Sequence, residues 1–288
     1  MSKRLSLLLT TVILFISAIY PQKNNIVLWS SGGYSDFFEN ADKLTSVGNA
    51  GAELGVGYEF AARNFIFQTG VGYQHLNASL QLQDSLHNRM MIDTEGDIYN
   101  GYFSFSNNND LYRMGNVVIP LLFGAKYNKF YALAGVKIGL NITATSTHSS
   151  NIRSFADYGQ FINFFEDMPN HGFLTREEKN TYDVKFDTNY SASIEFGYNF
   201  KLGTNKKSLV SYRIGAFADY GLNNINTKNN AEADLILNDN NAAYIPYFNS
   251  TLLSRDFKGT ALNTFFTGVK FSVVFGMPQH ICVICDYY

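Results

Sequence analysis

Cys282 and Cys285 stand in a C-x-x-C spacing, with His280 two residues upstream. Thiols so spaced carry out disulfide exchange within a βαβ frame, or hold zinc when further ligands complete a tetrahedron. The surrounding MPQHICVICDYY has no βαβ pattern, and zinc would need a fourth ligand such as Asp286. A local disulfide in an oxidising compartment, or an inert pair, is the simpler reading; docking of a periplasmic partner by this tail is another. The adjacent carboxylates Glu166–Asp167 and Glu177–Glu178 have the residue types for acid–base work but read as solvated loop surface. The remaining histidines are scattered, and neither an H-E-x-x-H pattern nor a nucleophile elbow is present. Gly55–Gly57 and Gly70–Gly72 lie inside strand patterns, which removes a phosphate-cradling role. The expectation is a non-enzymatic chain with no cofactor, no metal site and no small-molecule substrate.

Two other constellations stand out. Glu53, Glu59, Glu195 and Asp219 alternate with apolar neighbours along the chain, as do Lys126, Lys137, Arg213 and Lys270. On extended strands such residues share one face, so four acids and four bases would meet in one interior. The other is Phe155, Tyr158, Phe161, Ile162 and Phe165, at helical spacing within 152–168. These predict an amphipathic helix whose apolar stripe either docks a partner or folds onto its own loops. Thr175 with Glu178 would cap a second short helix.

The elements that position these residues follow from a period of two. Tyr190, Ala192, Ile194, Phe196 and Tyr198 oppose Ser191, Ser193, Glu195 and Asn199, in an alternation read as one strand from Val184 to Lys201. Strands in globular domains usually run about 5–6 residues, so this one suits a membrane barrel better. The pattern recurs in 52–60, 65–74, 117–125, 132–142, 210–222 and 267–275, with a weaker strand at 26–37. Short turns at 62–64, 128–129 and 203–206 alternate with long segments at 39–48, 84–110, 146–183 and 223–258. Aromatic residues, among them Tyr58, Phe65, Tyr127, Phe130, Tyr131 and Tyr198, cluster beside the short turns, as at a membrane–water boundary. The expected fold is all-β: an eight-stranded antiparallel transmembrane β-barrel with long extracellular loops. Eight strands leave an interior that side chains can fill, which favours a closed ionic core over a pore.

Lys3 and Arg4 precede an apolar run from Leu5 to Ile16 and the small residues Ser17 and Ala18, the pattern of a secretory signal. The division is therefore a signal peptide over 1–22, the barrel over 23–276 and a periplasmic tail over 277–288. A net charge of −2 gives no electrostatic case for nucleic acid.

The stretch VVIPLLFGAKYNKFYALAGVKIGL, Val117 to Leu140, resembles the PorT-like outer-membrane β-barrel family, whose members are OmpA-like eight-stranded barrels. Ile119–Leu122 match its IPLL-type strand; Phe130, Tyr131, Ala134, Gly135 and Gly139 match its FYxxAGxxxG strand. The closing GVKFSVVF at Gly268–Phe275 is similar to its last strand. The resemblance implies a bacterial outer membrane, and hence outer-membrane lipid around the chain; short periplasmic turns with an even strand count put both termini in the periplasm. Some members are accessory parts of the type IX protein secretion route, so envelope or secretion-machinery proteins are the implied partners. A narrow solute or ion channel is the alternative function.

Overall fold

The computed structural model describes residues 22–41, 43–92, 96–159, 175–201, 209–228, 234–238 and 246–277. Its strands, in chain order, are β1 (Gln22–Glu39), β2 (Leu44–Ala62), β3 (Phe65–Leu82), β4 (Ser85–Ile92), β5 (Ile98–Tyr127) and β6 (Phe130–Asp157). They continue as β7 (Thr175–Asp183), β8 (Asn189–Phe200), β9 (Val210–Gly221), β10 (Ile236–Asn238), β11 (Pro246–Phe248) and β12 (Leu262–Gly276). Eight of them, β1, β2, β3, β5, β6, β8, β9 and β12, close an antiparallel ring in which β1 pairs with β12. Closure leaves these strands without an unpaired edge.

At one end the strands turn on two residues. Arg63 and Asn128 take positive φ values of 51° and 54° in the β2–β3 and β5–β6 turns. The described chain enters and leaves at this same end, where Asn25 pairs with both Glu59 and Gly276.

At the other end the structure departs from the sequence reading. The segments expected as long loops are largely strand. Residues 39–48 form a tight connection, since β1 runs to Glu39 and β2 starts at Leu44. β4 continues the line of β3, and β7 that of β8, so each pairs with the overhang of β5 or β6. The result is a wall β4–β5–β6–β7 standing on one side of the ring. Among the described residues, the connection after β9 is the long segment that is mostly irregular. It carries two 3-10 turns, Thr251–Leu253 and Arg255–Phe257, and lies against the inner face of the wall.

The strand expected over 184–201 is interrupted. Val184 and Phe186 are buried, whereas Tyr190, Ile194 and Phe196 on the same parity are exposed. The Asp187 N–H bonds the Ile225 carbonyl at 2.8 Å, outside the ladder, and the side-chain phase shifts by one residue. Along β3 the pleat runs without a slip, and the apolar residues themselves change sides. Phe65, Val71 and Tyr73 face outward near the turns, while beyond them Leu76, Ala78 and Leu80 face inward. Beyond Tyr73 the apolar side chains of β3 are the ones that leave water for the interior.

Candidate functional site

Each inward position near the turn end is set by pleat alternation, and these residues build an ionic belt across the lumen. Lys137 on β6 donates to Glu53 on β2 at 3.0 Å and to Asp219 on β9 at 2.8 Å. Lys270 on β12 donates to Glu195 on β8 at 2.6 Å. Arg213 on β9 grips both carboxylate oxygens of Glu59 on β2, one of them at 2.8 Å. Neutral donors complete three of the four carboxylates. Trp29 Nε1 and Gln74 Nε2 reach Glu53 at 2.8 and 3.1 Å, Tyr131 OH reaches Glu195 at 2.7 Å, and Asn25 Nδ2 reaches Glu59 at 2.9 Å. All seven charged side chains are at most 5% exposed. Buried charge persists only when paired and hydrogen-bonded in this way.

The glycines beside the belt make room for its one indole. A Cβ at Gly55 would stand 2.2 Å from Trp29 Cζ2, and one at Gly57 or Gly70 would stand 2.9 Å from the ring. Lys270 Nζ lies 5.3 Å from the Trp29 ring centroid, a cation–π contact inside the lumen.

Lys126 does not join the belt. It is half-buried at the turn end, one residue from the end of β5. The belt therefore holds four carboxylates and three cations. Tyr131, read as a boundary aromatic, is likewise inside, because its phenol bonds Glu195.

Above the belt the lumen is filled by an apolar dome. Phe37, Phe103, Phe105 and Ile152 from the strands and Phe186 from the break between β7 and β8 meet Leu235, Leu252 and Phe257 from the connection after β9. A buried polar clamp, invisible in the sequence, fastens that connection. Asp110 Oδ2 accepts from Thr251 N at 2.6 Å, Tyr112 OH at 2.9 Å and Ser250 Oγ at 3.3 Å. Asp110 Oδ1 meets His148 Nδ1 at 2.5 Å, and Ser250 Oγ lies 2.9 Å from Ser146 Oγ. Burial, then the Asp110 charge, pushes the Tyr112 phenol well above its ordinary range. The trio Asp110, His148 and Ser250 has the residue types of a hydrolase, but the contacts of Ser250 Oγ run to Asp110, Ser146 and Tyr112. A nucleophile needs its base within hydrogen-bond reach and access for substrate; this cluster has every member at most 1% exposed. Among the described residues, no three His, Cys, Asp or Glu side chains gather as a metal site.

The expected loop helix is corrected at its first member. Phe155 lies on β6 and stacks face to face on Tyr102 of β5, centroids 5.2 Å apart and 7° between planes. Tyr158, just past β6, stacks on Tyr99 at 5.0 Å. Phe161, Ile162 and Phe165 lie outside the described residues, as do His280, Cys282 and Cys285. Thr175 and Glu178, expected to cap a helix, belong to strand β7.

The overhanging wall also carries an apolar outer face. Leu86, Met90, Ile92 and Ile98 are 61, 70, 53 and 60% exposed. They lie around Ile92↔Ile98 pairing, close to the Tyr102–Phe155 stack.

No family model matches the chain, and no curated protein matches it. Among solved structures, Ail, the attachment invasion locus protein of Yersinia pestis in complex with the heparin analogue sucrose octasulfate, overlaps 88% of this chain and 99% of its own. The identity is 9% and the TM-score 0.22, an overlap that carries no argument about fold or function. The ring of strands stands on its own hydrogen bonds, and the PorT-like resemblance on the residues of Val117–Leu140.

Proposed function

We propose that this chain is a non-enzymatic barrel of the bacterial outer membrane that works by holding other envelope proteins on its overhanging wall. Membrane spanning is supported by the outward rows Leu54, Val56, Val71, Ile194 and Phe196, all more than half exposed. From Phe65 to Tyr73 the outward apolar face of β3 covers roughly 20 Å of height, at about 3.3 Å per residue and about 40° of tilt, close to the usual apolar band. The turn end, with both described ends of the chain, is the periplasmic end in this reading.

The observation that carries the interaction role is the exposed apolar face at Leu86, Met90, Ile92 and Ile98. From Val117 to Ile98, β5 runs on for roughly 60 Å of strand path, which takes this face well clear of a bilayer around the lower barrel. A contiguous apolar patch in water marks a contact surface. Accessory components of secretion or envelope assembly, with a type IX-like machine as the example that the resemblance implies, are the proposed partners. The filled lumen argues against the narrow-channel alternative.

The test is photocrosslinking from position 90 in native membranes, followed by affinity purification. A secretion or envelope-assembly protein captured by the wild-type chain and lost with Leu86→Ser plus Ile98→Ser supports the role. Recovery of the barrel alone sinks it. Sustained large currents in planar bilayers would favour the channel instead.

A further inference from the structure

The outer surface of the ring carries a broad dent. It is a groove of about 720 Å³ floored by Ala125, Ala132, Ala134, Ala216 and Ala218 and walled by Phe123 and Phe196. Register explains it. One row across the strands reads Ala125, Ala132, Phe196, Ala216, and the next reads Phe123, Ala134, Ile194, Ala218. Elsewhere the outward rows present large side chains, such as Leu54, Val71 and Val269.

One row nearer the turns lie Tyr127, Phe130, Tyr198 and Ile214. Lys129, in the turn itself, places its Nζ 5.7 Å from the Tyr198 ring centroid, and its carbonyl accepts from Asn199 N at 2.7 Å. Lys201 follows the end of the adjacent strand β8, and both lysines are exposed. No Asp or Glu is exposed at this end among the described residues. The groove thus opens toward a boundary that carries positive charge only.

We propose that the groove holds an acyl chain of an anionic phospholipid of the periplasmic leaflet, its phosphate at Lys129. This rests on the membrane-spanning reading above. A dent left empty forfeits dispersion contacts along its lining, and a flexible chain fills an irregular dent without repacking the barrel. The lysine ammonium then supplies charge complementarity at the depth of the headgroup, where basic clusters near a membrane select anionic lipid. A second barrel docked on the same surface would fill the dent but leave Lys129 without an anion.

The full-length protein in detergent is offered equal amounts of dioleoyl-phosphatidylglycerol and dioleoyl-phosphatidylethanolamine, and retained lipid is read by native mass spectrometry. The expected result is a severalfold excess of phosphatidylglycerol. Ala132→Phe with Ala216→Phe, which fills the groove, lowers its retention at least fivefold. Lys129→Gln brings the two lipids to equal retention. Equal retention by the wild type, or unchanged retention by the filled variant, overturns the proposal. So does a wild-type dimer that the filled variant turns to monomer, which assigns the groove to a second copy. Flotation of all variants with vesicles is scored separately: failure of the wild type to insert removes the membrane-spanning reading, whereas insertion without lipid preference removes the groove alone.

Discussion

Lys137 and Glu53 stand three strands apart around the ring and meet at 3.0 Å in its centre. The same ammonium also holds Asp219, so one cation serves two carboxylates. Lys137→Met would leave both without their shared partner. Removing one member of a buried pair costs about 3–5 kcal/mol. Urea unfolding in detergent should show a loss of that size, and Lys137→Met combined with Glu53→Gln should recover part of it. A single variant as stable as the wild type would mean that the belt does not hold the ring.

Asp110 fastens the connection after β9, and that connection carries Arg255 and Lys258 just beyond the clamp. Hydrogen bonds to a charged group contribute about 1.5–3 kcal/mol each, and about 1.4 kcal/mol is tenfold in an equilibrium. Asp110→Ala should therefore raise trypsin cleavage after Arg255 and Lys258 at least tenfold, with the ring still folded. Unchanged cleavage would show that the apolar contacts of Leu252 and Phe257 suffice.

The parity change between the β7–β8 break and β8 gives a sharp contrast. Phe186 is buried in the dome, while Phe196 is 61% exposed on the outer surface. Phe186→Ala should cost about 3–5 kcal/mol, as for buried aromatics generally, whereas Phe196→Ala should leave stability in detergent within about 1 kcal/mol. Equal costs would restore the uninterrupted strand that the sequence alternation suggests.

A pH effect is expected at the break between β7 and β8. The Thr227 hydroxyl, then Lys228 and the Thr188 N–H, hold the Asp187 carboxyl down at about 2, from an ordinary 3.8. A depressed carboxylate stabilises the fold above its ordinary value and loses that contribution as pH falls through the lowered one. Hydrogen exchange at 222–228 should therefore quicken between about pH 4 and pH 2, and Asp187→Asn should remove the pH dependence. Both Asp187 and Lys228 are solvent-exposed, so the effect should be small and shrink with salt.

The eight strands were legible because alternation is local: every residue of 52–60 or 132–142 reports its own face. The gathering of inward acids and bases could be read for the same reason. Which acid meets which base could not, because Lys137 finds Glu53 and Asp219 through the stagger of the whole ring. The overhang reads as loops because no single apolar face runs through it: Phe103 and Phe105 point inward, while Leu86, Met90 and Ile98 share the outer face with Asn88 and Asn100. Phe155 and Tyr158 fit a helical spacing by accident of their pairing with Tyr102 and Tyr99. The clamp at Asp110 joins β5 to a serine 140 positions away, a distance at which sequence patterning is silent.

The placement of Lys270 has a consequence for biogenesis. The last strand carries the cation of Glu195, and that cation also rests on Trp29 of the first strand. A nascent barrel lacking β12 therefore holds a carboxylate with no counter-ion in a lumen still open along its seam. Arrival of the final strand zips the seam and neutralises that charge in the same event. The chain's one tryptophan sits where this happens, so its emission is a built-in reporter of whether assembly has reached completion.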